Sequence, residues 1–166
     1  DPVPFEIHVY NQGNIPLTEI DINSFAPAGY TFDPLLNPGW TLVMGTKYVY
    51  TISDTIQPGD SIVIPLILNM IKTGGGPLDY TVYSEVASMQ DVIGNDRSMQ
   101  DADSAPGSDS TPERNTLPGD ADDDDINIQD KLGKEDDHDP AMVEIFDLAL
   151  RKTILTNTIV RTGDDV

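Results

Sequence analysis

The segment from Asp91 to Asp139 sets the strongest limit on what this chain can fold into. It reads DVIGNDRSMQDADSAPGSDSTPERNTLPGDADDDDINIQDKLGKEDDHD and holds 16 Asp and Glu against 4 Lys and Arg. That is −12 of a formal net charge of −20 for the chain. It contains no aromatic residue and few large apolar ones. Such a composition cannot bury enough apolar surface to offset the entropy of ordering it. Two outcomes are open. The segment is a solvated acidic linker, or it is organised by hard cations, which carboxylate and carbonyl oxygens bind well. The second is the expectation carried forward.

The flanking sequence has a different character. Phe5–Tyr10 alternates apolar and polar residues, the period of a half-buried strand. Leu17–Phe25 alternates again, with Leu17, Glu19, Asp21 and Asn23 expected on one face and Ile20, Ile22 and Ser24 on the other. Tyr30–Phe32 reads as short and extended, and Trp40–Met44 and Lys47–Ile52 as a hairpin through Gly45-Thr46. Gln57-Pro58-Gly59-Asp60 is a turn, since Pro presets φ and Gly supplies a positive one. Ser61–Met70 is β-branched and apolar enough for a central strand, with Pro65 implying a bulge or an edge there. Leu78–Met89 closes the set. Short strands with a turn signal every 8–12 residues or so predict an all-β sandwich. After the acidic segment the β pattern resumes over Ala141–Leu155, a helix being the competing reading.

Composition excludes several function classes. The charge of −20 repels nucleic acid and anionic membrane surfaces. With no Cys, neither a disulfide framework nor a thiolate metal site can form. No run is apolar over the roughly 18 residues that would predict membrane insertion as a helix. Thr73-Gly74-Gly75-Gly76 lacks the Lys of a phosphate loop and reads as a turn. Paired carboxylates can hydrolyse glycosides, but here they sit in an acidic run without an aromatic platform, so no enzymatic activity is expected.

The order of turns resembles a known family. Val9-Tyr10-Asn11-Gln12-Gly13-Asn14, then Ala26-Pro27-Ala28-Gly29-Tyr30-Thr31-Phe32, then Gln57-Pro58-Gly59-Asp60-Ser61-Ile62 are similar to the conserved Ig-like repeat of large bacterial surface proteins, the serine-aspartate repeat B-type modules. Asp101–Pro106, Asp122–Ile126 and Glu135–Pro140 resemble the acidic extension that follows such repeats, and Phe146–Thr153 resembles the first strand of the next one. The resemblance implies a calcium-loaded, non-catalytic module of an adhesin or extracellular filament at the cell surface. The chain begins in mid-pattern, and Gly163–Val166 placed before Asp1–Phe5 reads as a turn into a strand. One period of a tandem repeat, cut out of phase, is therefore expected.

Several calcium ions are the expected cofactors. The candidate ligands are Glu85, Asp91, Asp101, Asp103, Asp109, Asp120, Asp122, Asp124, Asp125, Asp136, Asp137 and Asp139. Asp101-x-Asp103 and Asp122-x-Asp124 have the alternation that turns two carboxylates toward one ion. Neither is an EF-hand: Ala105 and Pro106 fill positions needing a ligand and a Gly in the first, and Asp125 and Lys131 break the second. Glu85 sits on the strand before the segment, on the face opposite Val86, and can arrive as a ligand from the sandwich or remain a plain strand residue. His138 among hard oxygens favours calcium or magnesium over zinc, and packing or a hydrogen bond is preferred to a metal role for it. The expected division is an Ig-like sandwich over 1–90, the acidic calcium-binding extension over 91–140, and over 141–166 a strand that pairs with an adjacent module. Phe146–Ile154 is expected to complete a neighbouring copy, by covalent tandem linkage or by strand donation, the alternative being that it folds back onto its own body and gives a monomer. The competing functions are a glycan- or protein-recognition domain of a surface adhesin, and a hydrolase accessory domain.

Overall fold

The computed structural model describes residues 1–71, 80–100 and 138–143. Alternation along the sequence gives the described elements one form, the extended strand. They are β1 (Pro2–Tyr10), β2 (Leu17–Phe25), β3 (Tyr30–Phe32), β4 (Trp40–Met44), β5 (Lys47–Ile52), β6 (Ser61–Met70), β7 (Thr81–Asp91) and β8 (His138–Met142). They pair antiparallel into a three-stranded sheet of order β1-β6-β3 and a five-stranded sheet of order β4-β5-β2-β7-β8. The described residues are therefore all-β, in two sheets. β8 crosses the boundary expected at residue 140 and pairs with β7 of its own chain. The expected strand Phe146–Ile154 lies outside the described residues.

The core gathers one face of each sheet. Ile64, Leu66 and Leu68 of β6 join Ile20 and Ile22 of β2, Ile52 of β5 and Val82 of β7 in one buried cluster with Trp40 and Tyr48. Each such aliphatic side chain contributes about 1.5–3 kcal/mol of transfer free energy. The alternation of β2 is broken by a bulge. Register with β7 shifts between Thr18 and Ile22, and Glu19 takes φ 46°. The extra residue turns Leu17 to the same side as Ile20, so Leu17 packs on the core rather than lying with Asp21 on the outer face.

β6 shows how the fold tolerates a proline in a central strand. Pro65 sits opposite Glu6 of β1 in an unbroken register. On its other side β3 pairs only with Leu68–Met70, so β6 has no strand neighbour at Pro65 and its missing N–H costs no ladder bond. The segment after β3 closes that edge with side chains. Asn37 Nδ2 donates to the Ile67 carbonyl (2.8 Å), Ile67 N–H donates to Asn37 Oδ1 (2.7 Å), and Trp40 Nε1 donates to the Pro65 carbonyl (2.9 Å). Gly39 at φ 95° lets this segment lie against Tyr50, whose ring leaves no room for a Cβ.

Candidate functional site

The chain leaves the sandwich at the end of β7, and the first ten residues of the acidic segment are ordered by their own side chains. Gly94 N–H donates to the Asp91 carbonyl and Asp91 N–H to the Asn95 carbonyl, closing a three-residue loop with Gly94 at φ 86°. The chain then returns along the outer edge of β7, where Arg97 N–H donates to the Met89 carbonyl. The Asp91 carboxylate is the hub. Its Oδ1 accepts the N–H groups of Ile93 and Asn95, and its Oδ2 accepts Asn95 Nδ2 and both Arg97 Nε and Nη2, the last at 2.7 Å. The Asn95 side-chain and backbone donors, together with Arg97 and Ile93, hold this carboxyl far below the usual carboxylate range, against the opposing effect of burial. Ser98 extends the lock: its Oγ donates to Asp96 Oδ1 (2.6 Å) and accepts Met89 N–H (3.1 Å). The Ser98 donors lower the pKa of Asp96 in turn.

Glu85 lies farther up β7, on the face opposite Val86, as the alternation predicts. It is buried, and Asn23 of β2, directly opposite in register, donates Nδ2 to its Oε1 at 2.7 Å. Two residues along β2, the Asp21 carboxylate accepts Thr51 Oγ1 (2.6 Å) and Ser88 Oγ (2.9 Å) from the strands on either side. These polar side chains form a cross-strand row on the outward face of the five-stranded sheet.

Among the expected ligands, the structure therefore places two side chains. Glu85 and Asp91 stand six residues apart on one strand, about 20 Å at strand rise, so they cannot share an ion. Both Asp91 oxygens are taken by protein donors, and a cation there would have to displace Arg97 or Asn95. Among the described residues no three His, Asp or Glu side chains converge as a metal site would require. Asp139 belongs to β8, opposite Ser84 in register. Asp101, Asp103, Asp109, Asp120, Asp122, Asp124, Asp125, Asp136 and Asp137 lie outside the described residues. Reading the sequence for anionic ligands overlooked Asn95, Arg97 and Ser98, which are the donors that order Asp91–Gln100. The signal was present: a Gly-Asn step four residues after an Asp, then an Arg, is what a short hairpin loop brings together. No protein-family model, curated protein or solved structure matches this chain.

Proposed function

We propose that this chain is a non-catalytic, calcium-stabilised structural repeat of a bacterial cell-surface adhesin or extracellular filament, with an Ig-like body and head-to-tail assembly. The observation that carries the reading is a pair of clusters among the exposed apolar side chains, which also include Tyr10, Ile15, Leu35, Leu36 and Val63. Leu42, Val43 and Met44 are exposed beside the β4–β5 turn, next to the C-terminal end of β2. Val92, Ile93 and Met99 are exposed on the hairpin after β7, next to the N-terminal end of β2. The two clusters thus occupy opposite ends of the sandwich, separated by the length of β2, about 25–30 Å. A contact between one end of a copy and the other end of the next is heterologous and propagates. The acidic sequence continues from Gln100, next to Met99 of the second cluster. Divalent ions there would neutralise repelling charge and stiffen the connection.

Calcium titration followed by chelation tests the reading. An ion bound only by the folded state at 100 times its Kd adds about 2.7 kcal/mol of stability. Calcium is expected to raise Tm and to contract the particle in small-angle scattering, with both changes reversed by chelator. Indifference of Tm and of particle dimensions to calcium would remove the ion from the reading.

A further inference from the structure

β1 lies at the edge of its sheet, and its backbone groups divide by parity. Met70 N–H donates to the Asp1 carbonyl (2.8 Å) just before the strand, and Asn11 N–H donates to the Asp60 carbonyl (3.0 Å) just after it. The odd-numbered residues between them therefore turn N–H and C=O toward β6, and the even-numbered ones turn theirs away. The β6 residues opposite Pro4 and Glu6 follow the same parity. Ile67 and Pro65 make their hydrogen bonds with Asn37 and Trp40, on the side of β6 away from β1. Among the described residues no strand lies beyond β1. Its outer edge thus presents the carbonyls of Pro2, Pro4, Glu6, His8 and Tyr10, but N–H groups only at Glu6, His8 and Tyr10, because proline has none. Glu6, His8 and Tyr10 are all exposed. Their side chains share one face, with His8 Nε2 3.5 Å from Glu6 Oε2 and the His8 and Tyr10 rings nearly parallel, 6.4 Å apart.

We infer that a second copy of this chain pairs with this edge, antiparallel across a two-fold axis at His8. The edge selects its own register. With the axis at His8, Glu6 stands opposite Tyr10 of the second copy, His8 opposite His8, and Tyr10 opposite Glu6. Every N–H of the edge then meets a carbonyl, and both prolines stay outside the ladder. An axis at Ile7 or at Glu6 drives Pro4 into the ladder, where its ring meets a carbonyl in place of an N–H donor. The axis at Glu6 also opposes two carboxylates, which is destabilising. An axis at Val9 leaves the Glu6 N–H unpaired. On the inner face Ile7, only partly buried in one copy, gains Val9 of the second as its cross-strand neighbour. The two three-stranded sheets become one sheet of order β3-β6-β1-β1-β6-β3. A ladder this short is a small interface, so the dimer is a transient one. β1 runs between the same two ends as β2. Asn11 bonds Ile56, which pairs with Leu17 at the start of β2, and Asp1 bonds Met70, whose neighbour Ile71 bonds Gly29 beyond the end of β2. The two copies therefore lie side by side and antiparallel. On the filament reading, on which this consequence alone rests, the contact joins two filaments of opposite direction, each weak pairing multiplied by repetition.

Sedimentation equilibrium of the full chain over a concentration series tests the pairing, in chelator and physiological salt so that the outcome does not depend on calcium. A monomer–dimer equilibrium is expected. Tyr10→Glu sets a carboxylate opposite Glu6 of the second copy and should weaken dimerisation about tenfold or more. Glu6→Lys/Tyr10→Glu sets opposite charges across the same pair and should restore it, a rescue that only this register gives. His8→Pro removes the donors on the axis without removing a bond to β6, and should leave a folded monomer. Should that variant not fold, the exposed Tyr10 and the charge swap still decide the question. The chain has no cysteine, so a single one reports position. A short bifunctional maleimide should join His8→Cys chains, whose facing Cα atoms lie about 5.5 Å apart, and not Pro4→Cys chains, about 26 Å apart at strand rise. A monomer at every concentration, a dimer indifferent to Tyr10→Glu, or equal cross-linking at the two positions would each overturn the inference. So would exchange protection of the Glu6 and His8 amides in the monomer, which would give the edge to a segment of the same chain.

Discussion

Asn37 is the residue on which the open edge of β6 depends. Its buried amide makes three hydrogen bonds: Nδ2 to the carbonyls of Asp33 (2.9 Å) and Ile67 (2.8 Å), and Oδ1 from Ile67 N–H (2.7 Å). An amide side chain here does what a paired strand does for Ile67. In Asn37→Ala the Ile67 N–H and C=O lose their partners together. A buried polar group left unsatisfied costs about 1–3 kcal/mol, and the carbonyl sits closer to solvent, so about 2–4 kcal/mol in total is expected. For a body of this size each kcal/mol is about 4–8 °C, and Tm should fall by roughly 10–25 °C. Asn37→Asp retains the acceptor for Ile67 N–H but loses both donors and brings a carboxylate against two carbonyls, so it should rescue little. Native-state hydrogen exchange adds a local readout: Ile67 N–H should lose protection, while Leu66 N–H, on the β1 side of the strand, keeps it. A loss under about 0.5 kcal/mol with Ile67 protection intact would refute the claim that this amide substitutes for a strand.

Other expectations concern the polar groups of the five-stranded sheet and its exit loop. Asn23→Ala removes a 2.7 Å donor from the buried Glu85 carboxylate and should cost about 1.5–3 kcal/mol by denaturant unfolding. Ser24→Ala breaks only hydrogen bonds of 3.3 Å and should cost far less. Asp91 and Asp96 have folded-state pKa values below their unfolded ones. Their contribution is therefore complete above about pH 4 and is lost as pH falls below it, because the unfolded state takes up protons first. Asp91→Asn should flatten the acid limb of Tm against pH, and an unchanged slope would count against the hub role. Gly39→Ala must push its Cβ into the Tyr50 ring at positive φ, so reduced stability is expected by thermal melting.

The legible parts of this fold were those governed by alternation and by turn chemistry. Ser61–Met70 reads as a strand because its apolar residues fall on alternate positions, and Gln57–Asp60 reads as a turn because Pro and Gly preset its dihedrals. The first strand begins earlier than its alternation suggests, at Pro2, because an edge strand tolerates prolines that a doubly paired one does not. The position of Leu17 was not legible, because the bulge at Glu19 reverses the parity of β2 and nothing in TEID announces a positive φ at a glutamate. Asn37, before Pro38-Gly39, and Asn11, before Gln12-Gly13, have the local sequence of turn residues. Both are buried hydrogen-bond hubs, and Asn11 Nδ2 donates to the carbonyls of Ile15 and of Ile56, the latter 45 positions away in sequence. Long-range partners of that kind have no local signature.

Charge illustrates the same limit and bears on how the body and its acidic segment divide their roles. Counting Asp91 with its acidic successors treats it as a ligand awaiting a cation. The loop geometry supplies that cation from within, as Arg97, and adds Asn95 and Ile93 as neutral donors. The consequence is an exit whose direction is set before any ion binds. Charge repulsion among the carboxylates beyond Gln100 would act on a chain anchored at Arg97 and Ser98 rather than fraying β7. The filament module proposed above would need that separation, because a joint that softened in the absence of calcium would otherwise unzip the strand it hangs from. The proposed calcium dependence should therefore appear in particle dimensions and in the stability of the joint, while the amides of Met89 and Asp91 keep their exchange protection in chelator. Loss of protection at Met89 on chelation would show that the hairpin itself depends on the ion, and the division of roles argued from Asp91 would fail.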